Sequence, residues 1–367
     1  MLDSLSMPSL DIRSLRLHSQ HLSARKLKDP VEVLRSLVAI QAQDYYGAKW
    51  ALGQRTVNCT DAVVEKAFTD GRILRLHVMR PTWHFVTPDD IRWLVKLTAP
   101  RVNAVSSYYY RKAELDHNVF KRTNRALIKA LQGGRQLTRD ELRVAIKRTG
   151  VEPGDSMRFG YIMHRSELDG IVCSGGRRGN QFTYALVDER VTHSRTLDDD
   201  EALGELTERY FKSRAPATIQ DYVWWSGLTA SQAKRGIEIV GSALRSEILD
   251  GQKYWLSART QRSTKASPHR VHLLPSYDEY FIAYKDRSAA MHPSFNQKGV
   301  AAKLVFDAPL VIDGQVFGGW KRVIGNDQVT IILKPFTKFS KAQRDAVMTA
   351  VRQYSDFIGM RANSEWS

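Results

Sequence analysis

The string Gln41-Ala42-Gln43-Asp44 places two carboxamides and a carboxylate within four residues, at the end of an apolar-periodic stretch that starts at Val33. Neutral amides are weak acids and bases, so on side-chain chemistry alone the pair reads as polar capping. Residues two apart on a helix point about 200° away from each other. The two amides therefore converge only if the backbone leaves the helix near Ala42. Asp44 competes for the part of a general base, although an aspartate ahead of a new segment more often caps the turn that follows.

Other chemistry-bearing residues are weaker candidates. In Arg80-Pro81-Thr82-Trp83-His84-Phe85-Val86, strand alternation puts Thr82, His84 and Val86 on one face and Trp83 and Phe85 on the other. The aromatics then pack inward and His84 faces a cleft or solvent, as a pocket residue or as a hydrogen-bonded structural histidine. Asp278 and Glu279 are neighbours on an extended segment, so they point to opposite faces, cannot flank one bond, and are expected to pair with Lys285 or Arg287. The pairs His18/His21 and His269/His272 have no Cys or carboxylate cluster at ligand spacing, and Cys59 and Cys173 stand apart, so no metal site and no disulfide framework is expected. The motifs G-x-x-x-x-G-K-[ST], G-x-G-x-x-G and H-E-x-x-H are absent, which removes the sequence basis for nucleotide hydrolysis, dinucleotide redox chemistry and zinc proteolysis.

The elements that must position these residues repeat. Helical periodicity over Val33–Gln41 and Thr60–Phe68 is followed by strands over Ile73–Met79 and Thr82–Val86, with Arg80-Pro81 as a break and Pro88-Asp89-Asp90 opening a helix. Helices over Val102–Arg111, Val119–Leu131, Thr138 onward with Glu141 at capping-box spacing, and Met157–Leu168 then lead to a hairpin. Its strands are Gly170–Ser174 and Gln181–Val187, joined by Gly175-Gly176-Arg177-Arg178-Gly179-Asn180. A third round runs through Asp198–Ser213, Thr218–Trp225 and Ser231–Val240 to strands Ala243–Leu249 and Lys253–Ser257. Helices closed by a β-hairpin make a winged helix, whose third helix enters a major groove while the wing touches the backbone. Strands over Val271–Pro275, Ala308–Ile312 and Val329–Phe336 and a closing helix over Ala342–Phe357 complete the chain. The expectation is an α+β protein: three tandem winged-helix domains at 1–97, 98–195 and 196–266, then a mostly β domain at 267–367.

Composition agrees with a nucleic-acid partner. The chain has 367 residues, 43% apolar and 26% charged, with 55 Lys plus Arg against 39 Asp plus Glu, a formal charge of +16. That suits a folded protein that meets a polyanion. Arg177 and Arg178 on the wing fit phosphate oxygens, and Thr82 is placed with them as a DNA contact. Tyr108-Tyr109-Tyr110 and Trp224-Trp225 offer rings for stacking or core, with at least one of each set expected in the core. No run of about 18 apolar residues and no signal-peptide core is present, so a cytoplasmic protein without membrane contact is expected.

Ile40-Gln41-Ala42-Gln43-Asp44, with Leu274-Pro275-Ser276-Tyr277-Asp278-Glu279-Tyr280 and the following Asp286-Arg287, resembles the winged-helix family that contains the bacterial DNA glycosylases AlkZ and YcaQ. The resemblance spans nearly the whole chain. It implies removal of alkylated purines and unhooking of interstrand crosslinks, with Gln41 and Gln43 as the catalytic pair around Ala42, where AlkZ-like members carry Gln, an aliphatic residue and Gln. YcaQ-like members have Asp at the third position, so this chain is similar to AlkZ there.

The implied chemistry suits neutral groups. An N7-alkylated purine already carries positive charge, so its departure needs no general acid, and the remaining task is to place water against C1′ of an oxocarbenium-like sugar. Two amides supply the acceptors and donors to orient that water. With no lysine placed beside them as a Schiff-base nucleophile, monofunctional hydrolysis by a monomer on duplex DNA, without metal or small-molecule cofactor, is the expectation. The competing reading is a non-catalytic winged-helix DNA-binding protein or regulator in which the Gln pair only ties down a chain end.

Overall fold

The protein's structure, a computed structural model, describes residues 10–23, 26–260, 270–292 and 308–367. After α1 (Ile12–Ser19), helix α2 (Pro30–Leu37) begins where the Asp29 carboxylate accepts from the Val31 N–H at 2.8 Å, with Pro30 at the first helical position. It ends at Val38, which has φ +66°, and Ala39–Gln41 is a strand, β1. The helical spacing predicts a helix as far as Gln41. The chain leaves it sooner because Val38, Ala39 and Ile40 are all buried, and a strand between two packed layers buries consecutive residues where one helical face does not.

Helices α3 (Tyr45–Gly53) and α4 (Asp61–Thr69) follow, then β2 (Leu74–Val78) and β3 (Arg80–Val86), which turn at Met79 (φ +62°) rather than at Arg80-Pro81. Strand β3 lies between β1 and β2 in an antiparallel sheet, and its register sets Gln41 opposite His84. The next helix, α5 (Pro88–Lys112), runs unbroken through Pro100 where two helices are expected, and it passes straight through the 97/98 boundary.

The second round is α6 (His117–Leu131), β4 (Leu137–Thr138), α7 (Arg139–Lys147), α8 (Ser156–Leu168), and the hairpin β5 (Val172–Arg178) and β6 (Gln181–Leu186). Thr138 and Glu141 form the expected capping box at α7. The β5–β6 turn is only Gly179-Asn180, with Gly179 at φ +59°, so Arg177 and Arg178 stand on the strand and not on the loop. After a short α9 (Val187–Arg190) come α10 (Asp199–Ser213), α11 (Ile219–Ser226), α12 (Ala230–Val240) and the hairpin β7 (Leu244–Leu249) and β8 (Gln252–Ser257).

The last region holds β9 (Val271–Leu273), α13 (Glu279–Ile282), β10 (Ala308–Ile312), β11 (Gln315–Ile324), β12 (Gln328–Pro335), α14 (Lys341–Ile358) and β13 (Arg361–Trp366). Its sheet has the order β13-β12-β11-β10-β9, with β13 parallel to β12. The expected closing helix is therefore followed by one more strand.

The cores join these rounds. Leu76, Val86, Trp93 and Leu94 of the first share a cluster with Leu206, Tyr210, Tyr222 and Trp225 of the third, while Leu34, Trp50 and Phe85 share one with Leu310, Trp320 and Tyr354 of the C-terminal region. The second round has a core of its own around Phe120, Leu127 and Phe159. The segment carrying Gln41 thus lies between two partners, each of which contributes apolar area to hold it. Among the described residues no helix is long and apolar enough to cross a membrane.

Candidate active site

Strand β1 is an edge strand, and its free edge is closed by charge. The Ala42 N–H donates to Trp83 O at 2.7 Å, across to β3, so by backbone alternation the Gln41 N–H points to the other edge. There it meets Glu279 Oε1 at 3.2 Å. Arg214 Nη2 donates to Ala39 O at 3.1 Å and to Glu279 Oε2 at 2.6 Å, and Trp225 Nε1 donates to the same oxygen at 2.8 Å. Glu279 and Arg214 are 0% exposed. The pair stands in for a fourth strand, accepting from one backbone N–H and donating to one C=O. In this dry setting the carboxylate and the guanidinium each find partners, the condition under which a buried ion pair is tolerable.

Glu279 therefore does not pair with Lys285 or Arg287 as expected. Its neighbour Asp278 takes Arg55 bidentately, at 2.7 and 2.8 Å, again fully buried. The two carboxylates point to different arginines, as their adjacency requires. These partners, Arg55 and Arg214, belong to other rounds of the chain and escape a local reading. The signal that could have found them is the run Tyr280-Phe281-Ile282-Ala283-Tyr284, which forces its leading carboxylates into the interior and so demands cations there.

The side chain of Gln41 is 9% exposed and its Oε1 accepts from Arg80 Nη2 at 3.3 Å; since a guanidinium only donates, the atom facing it must be the oxygen. Arg80 Nη2 also lies 3.4 Å from His84 Nε2, and His84 Nδ1 is 3.0 Å from Thr82 O. A carbonyl only accepts, so Nδ1 carries the proton and Nε2 offers its lone pair to Arg80. His84 is 0% exposed, which corrects the expectation that it faces a cleft or solvent: it sits against Arg80 and steadies it. Burial first, and the Arg80 charge second, hold the His84 pKa well below the ordinary histidine range.

Ala42 is fully buried while Gln43, next along, is exposed, and among the described residues the Gln43 amide has no protein partner. The small middle residue anchors the segment inward and leaves an anchored amide on one side and a free one on the other. Asp44 caps α3, accepting from Gly47 N–H at 3.0 Å, and lies 3.5 Å from Arg322. Its role in the structure is that cap. Thr82 Oγ1 is buried without a hydrogen-bond partner on the same strand as His84.

Arg177 is not at the surface with the wing tip: its guanidinium lies against the Tyr45 and Phe182 rings, 5.4 Å from each centroid, and 3.9 Å from Glu65. Arg178 is half exposed but holds Glu141 at 2.9 Å and Gln136 O at 2.8 Å. Tyr110 and Trp225 are core and Tyr108, Tyr109 and Trp224 exposed, as the periodicity requires. His269 of the His269/His272 pair lies outside the described residues.

A family model described as DNA glycosylase AlkZ-like matches residues 34–357. The chain belongs to the AlkZ-like DNA glycosylase family. Within that family the chain is similar to an interstrand DNA cross-link repair glycosylase of Streptomyces sahachiroi, with 22% identity over 333 residues that cover 88% of each chain. In fold it is similar to the solved structure of Streptomyces sahachiroi DNA glycosylase AlkZ, at a TM-score of 0.81 and 19% identity over 98% of this chain and 100% of that one. The AlkZ-like fold thus covers all four regions described above.

Because the His84 pKa is depressed, the unfolded chain binds a proton below about pH 6.5 that the folded chain does not, so stability is complete above that pH and falls as pH drops. By pH 5 the loss from this one group is about 2 kcal/mol. Urea melts at pH 7.5 and 5 should show His84→Gln losing less stability over that interval than the wild type by about that amount; equal losses would mean that His84 titrates normally.

Proposed function

We propose that this AlkZ-like protein hydrolyses the N-glycosidic bond of cationic alkylated purines in duplex DNA, interstrand crosslinks among them. The observation that carries the reading is the Gln41-Ala42-Gln43 segment itself: a buried alanine between an amide tied to Arg80 and an amide open to solvent, on a strand edge closed by Glu279 and Arg214. Gln43 and the unengaged side of Gln41 hold the water at C1′. Their neutrality suffices because the departing base is already cationic. Arg80 brings a positive charge to the same place, where a phosphate of the reacting nucleotide completes its partners.

The three helix–hairpin rounds act as tandem winged helices, and the formal charge of +16 draws in the duplex. The similarity to a cross-link repair glycosylase supports crosslinks as substrates, and these suit an open cleft better than a deep pocket entered by rotating the whole nucleotide. Arg178, which is half exposed, and Thr82 serve as contacts to DNA. The enzyme acts as a monomer and leaves an abasic site without cutting the strand, since the sequence places no lysine beside the two glutamines.

The test is a duplex oligonucleotide with one 7-methylguanine. The wild type releases the base, and the labelled strand stays full-length until alkali cleaves it at the abasic site. Absence of release, with duplex binding retained, would leave the non-catalytic reading in its place; scission before alkali would contradict monofunctional hydrolysis.

A further inference from the structure

A cavity of about 290 Å³ opens between the β2–β3 hairpin and helices α5 and α8, and the chemistry above makes no use of it. Three kinds of wall meet there. Tyr109 and Tyr161 lie nearly parallel, at 18° with centroids 5.9 Å apart, on one side. Trp83 lines the cavity from β3, with the His77 ring centroid 4.5 Å from its own and the Arg75 guanidinium 4.4 Å over its ring. Met157, 66% exposed, forms a soft lip, and Tyr109 is 49% exposed. Large aromatic and thioether side chains left in the open around a concavity mark a place that something covers.

Besides Ser106, Ser156 and Arg139, whose guanidinium lies over Phe159 and reaches the Tyr184 hydroxyl at 3.4 Å, two histidines define what that something presents. Glu167, 1% exposed, accepts from the His77 N–H at 2.8 Å and holds His77 Nδ1 as well, so the proton of Nδ1 is committed. His77 Nε2 is the remaining ring nitrogen and, among the described residues, has no protein partner. His164, 4% exposed and also lining the cavity, is fixed from behind. The Tyr110 hydroxyl donates to Asn103 Oδ1 at 3.0 Å and so accepts from His164 Nδ1–H at 2.9 Å. That leaves His164 Nε2 as a lone pair that, among the described residues, has no hydrogen-bond partner. Burial lowers the His164 pKa to about 3, which keeps the ring neutral and the lone pair available. A buried acceptor without a donor is costly unless a ligand supplies one.

The geometry points to a binding site for a single nucleobase, a planar ring stacked on the Tyr109–Tyr161 pair and bordered by Trp83, with an N–H edge turned to His77 and His164. A hydrocarbon ring would satisfy the walls and leave both imidazoles unmet; a base satisfies both. The site is tied to the glutamine segment through the backbone, since Trp83 O accepts the Ala42 N–H at 2.7 Å. The base it holds belongs to a nucleotide displaced beside the reacting one, a placement that rests on the reading of the chain as a DNA glycosylase. Holding it keeps the duplex open at the lesion.

The base site can be tested without DNA, using the full chain and free adenine as the probe, with toluene as the apolar comparison. Saturation-transfer NMR should show adenine binding and weaker transfer to toluene. Tyr109→Ala removes a half-exposed ring and should weaken adenine about tenfold. His77→Asn keeps a donor for Glu167, removes the ring nitrogen turned to the cavity, and should weaken it comparably. No transfer to adenine, toluene binding as well as adenine, or adenine binding unchanged in either correctly folded variant would overturn the proposal. Because free adenine involves no glycosidic bond, failure here leaves base release untouched, and failure of base release leaves this site standing.

Discussion

Glu279→Ala is expected to cost about 3–5 kcal/mol of folding stability and to abolish base release by whatever folded protein remains. The carboxylate is the sole anionic partner shown for Arg214 among the described residues, and Arg214 is itself 0% exposed, so its removal strands a guanidinium in a dry interior. It also leaves the Gln41 N–H and the Trp225 indole N–H without acceptors. Glu279→Gln cannot rescue the site: one amide atom accepts from Gln41, but the other is a donor turned toward donors. Asp278→Asn is the control. Asp278 serves Arg55 at a comparable depth, so this variant should be destabilised as well, yet among the described residues its side-chain hydrogen bonds go to Gln54, Arg55 and the Tyr280 N–H and none to β1, and its folded fraction should release base at the wild-type rate. Denaturant melts combined with single-turnover release, normalised to folded protein, separate the two. Equal loss of rate in both variants would show that Glu279 does nothing for Gln41 beyond general stability.

The local elements are legible where local chemistry specifies them. Thr138 with Glu141 and Asp250-Gly251 between two short strands appear as capping box and hairpin turn in the positions their sequences demand. Distant partners decide the rest. Val33 to Ile40 is one apolar run, and only the layers on either side determine that it is a helix to Leu37 and a strand from Ala39. Strand β11 escapes a sequence reading because Gly318-Gly319 reads as a turn; instead Gly318 sits where a Cβ would come within 2.5 Å of Lys334 O, so glycine permits β12 to approach. Strand β13 is a polar edge strand, Arg361-Ala362-Asn363-Ser364-Glu365-Trp366, with little apolar alternation to reveal it.

The candidate site divides the same way. Gln41 and Gln43 stand out through a resemblance of short motifs, and nothing in their own chemistry raises them above a cap. Their supports, Arg80, Arg214 and Glu279, come from three regions of the chain, and burial decides their role. Arg177 shows the opposite failure: a basic residue beside glycines reads as an exposed phosphate contact, but packing turns it onto Tyr45 and Phe182.

The central claim is that the two amides of Gln41 and Gln43 orient the hydrolytic water. It is tested most directly by single-turnover release of 7-methylguanine by the wild type, Gln41→Ala and Gln43→Ala, each with its duplex affinity measured at the same salt concentration. Removing one positioned hydrogen-bonding group from a developing charge typically costs about 10²–10³ in rate. Gln43 is exposed and, among the described residues, has no protein partner, so its loss should leave fold and affinity intact while the rate falls by that factor. Gln41→Ala should match it with a small added cost in stability, because Arg80 is then deprived of an acceptor. Rates within about threefold of the wild type in both variants, at unchanged affinity, would contradict the account and move the chemistry elsewhere.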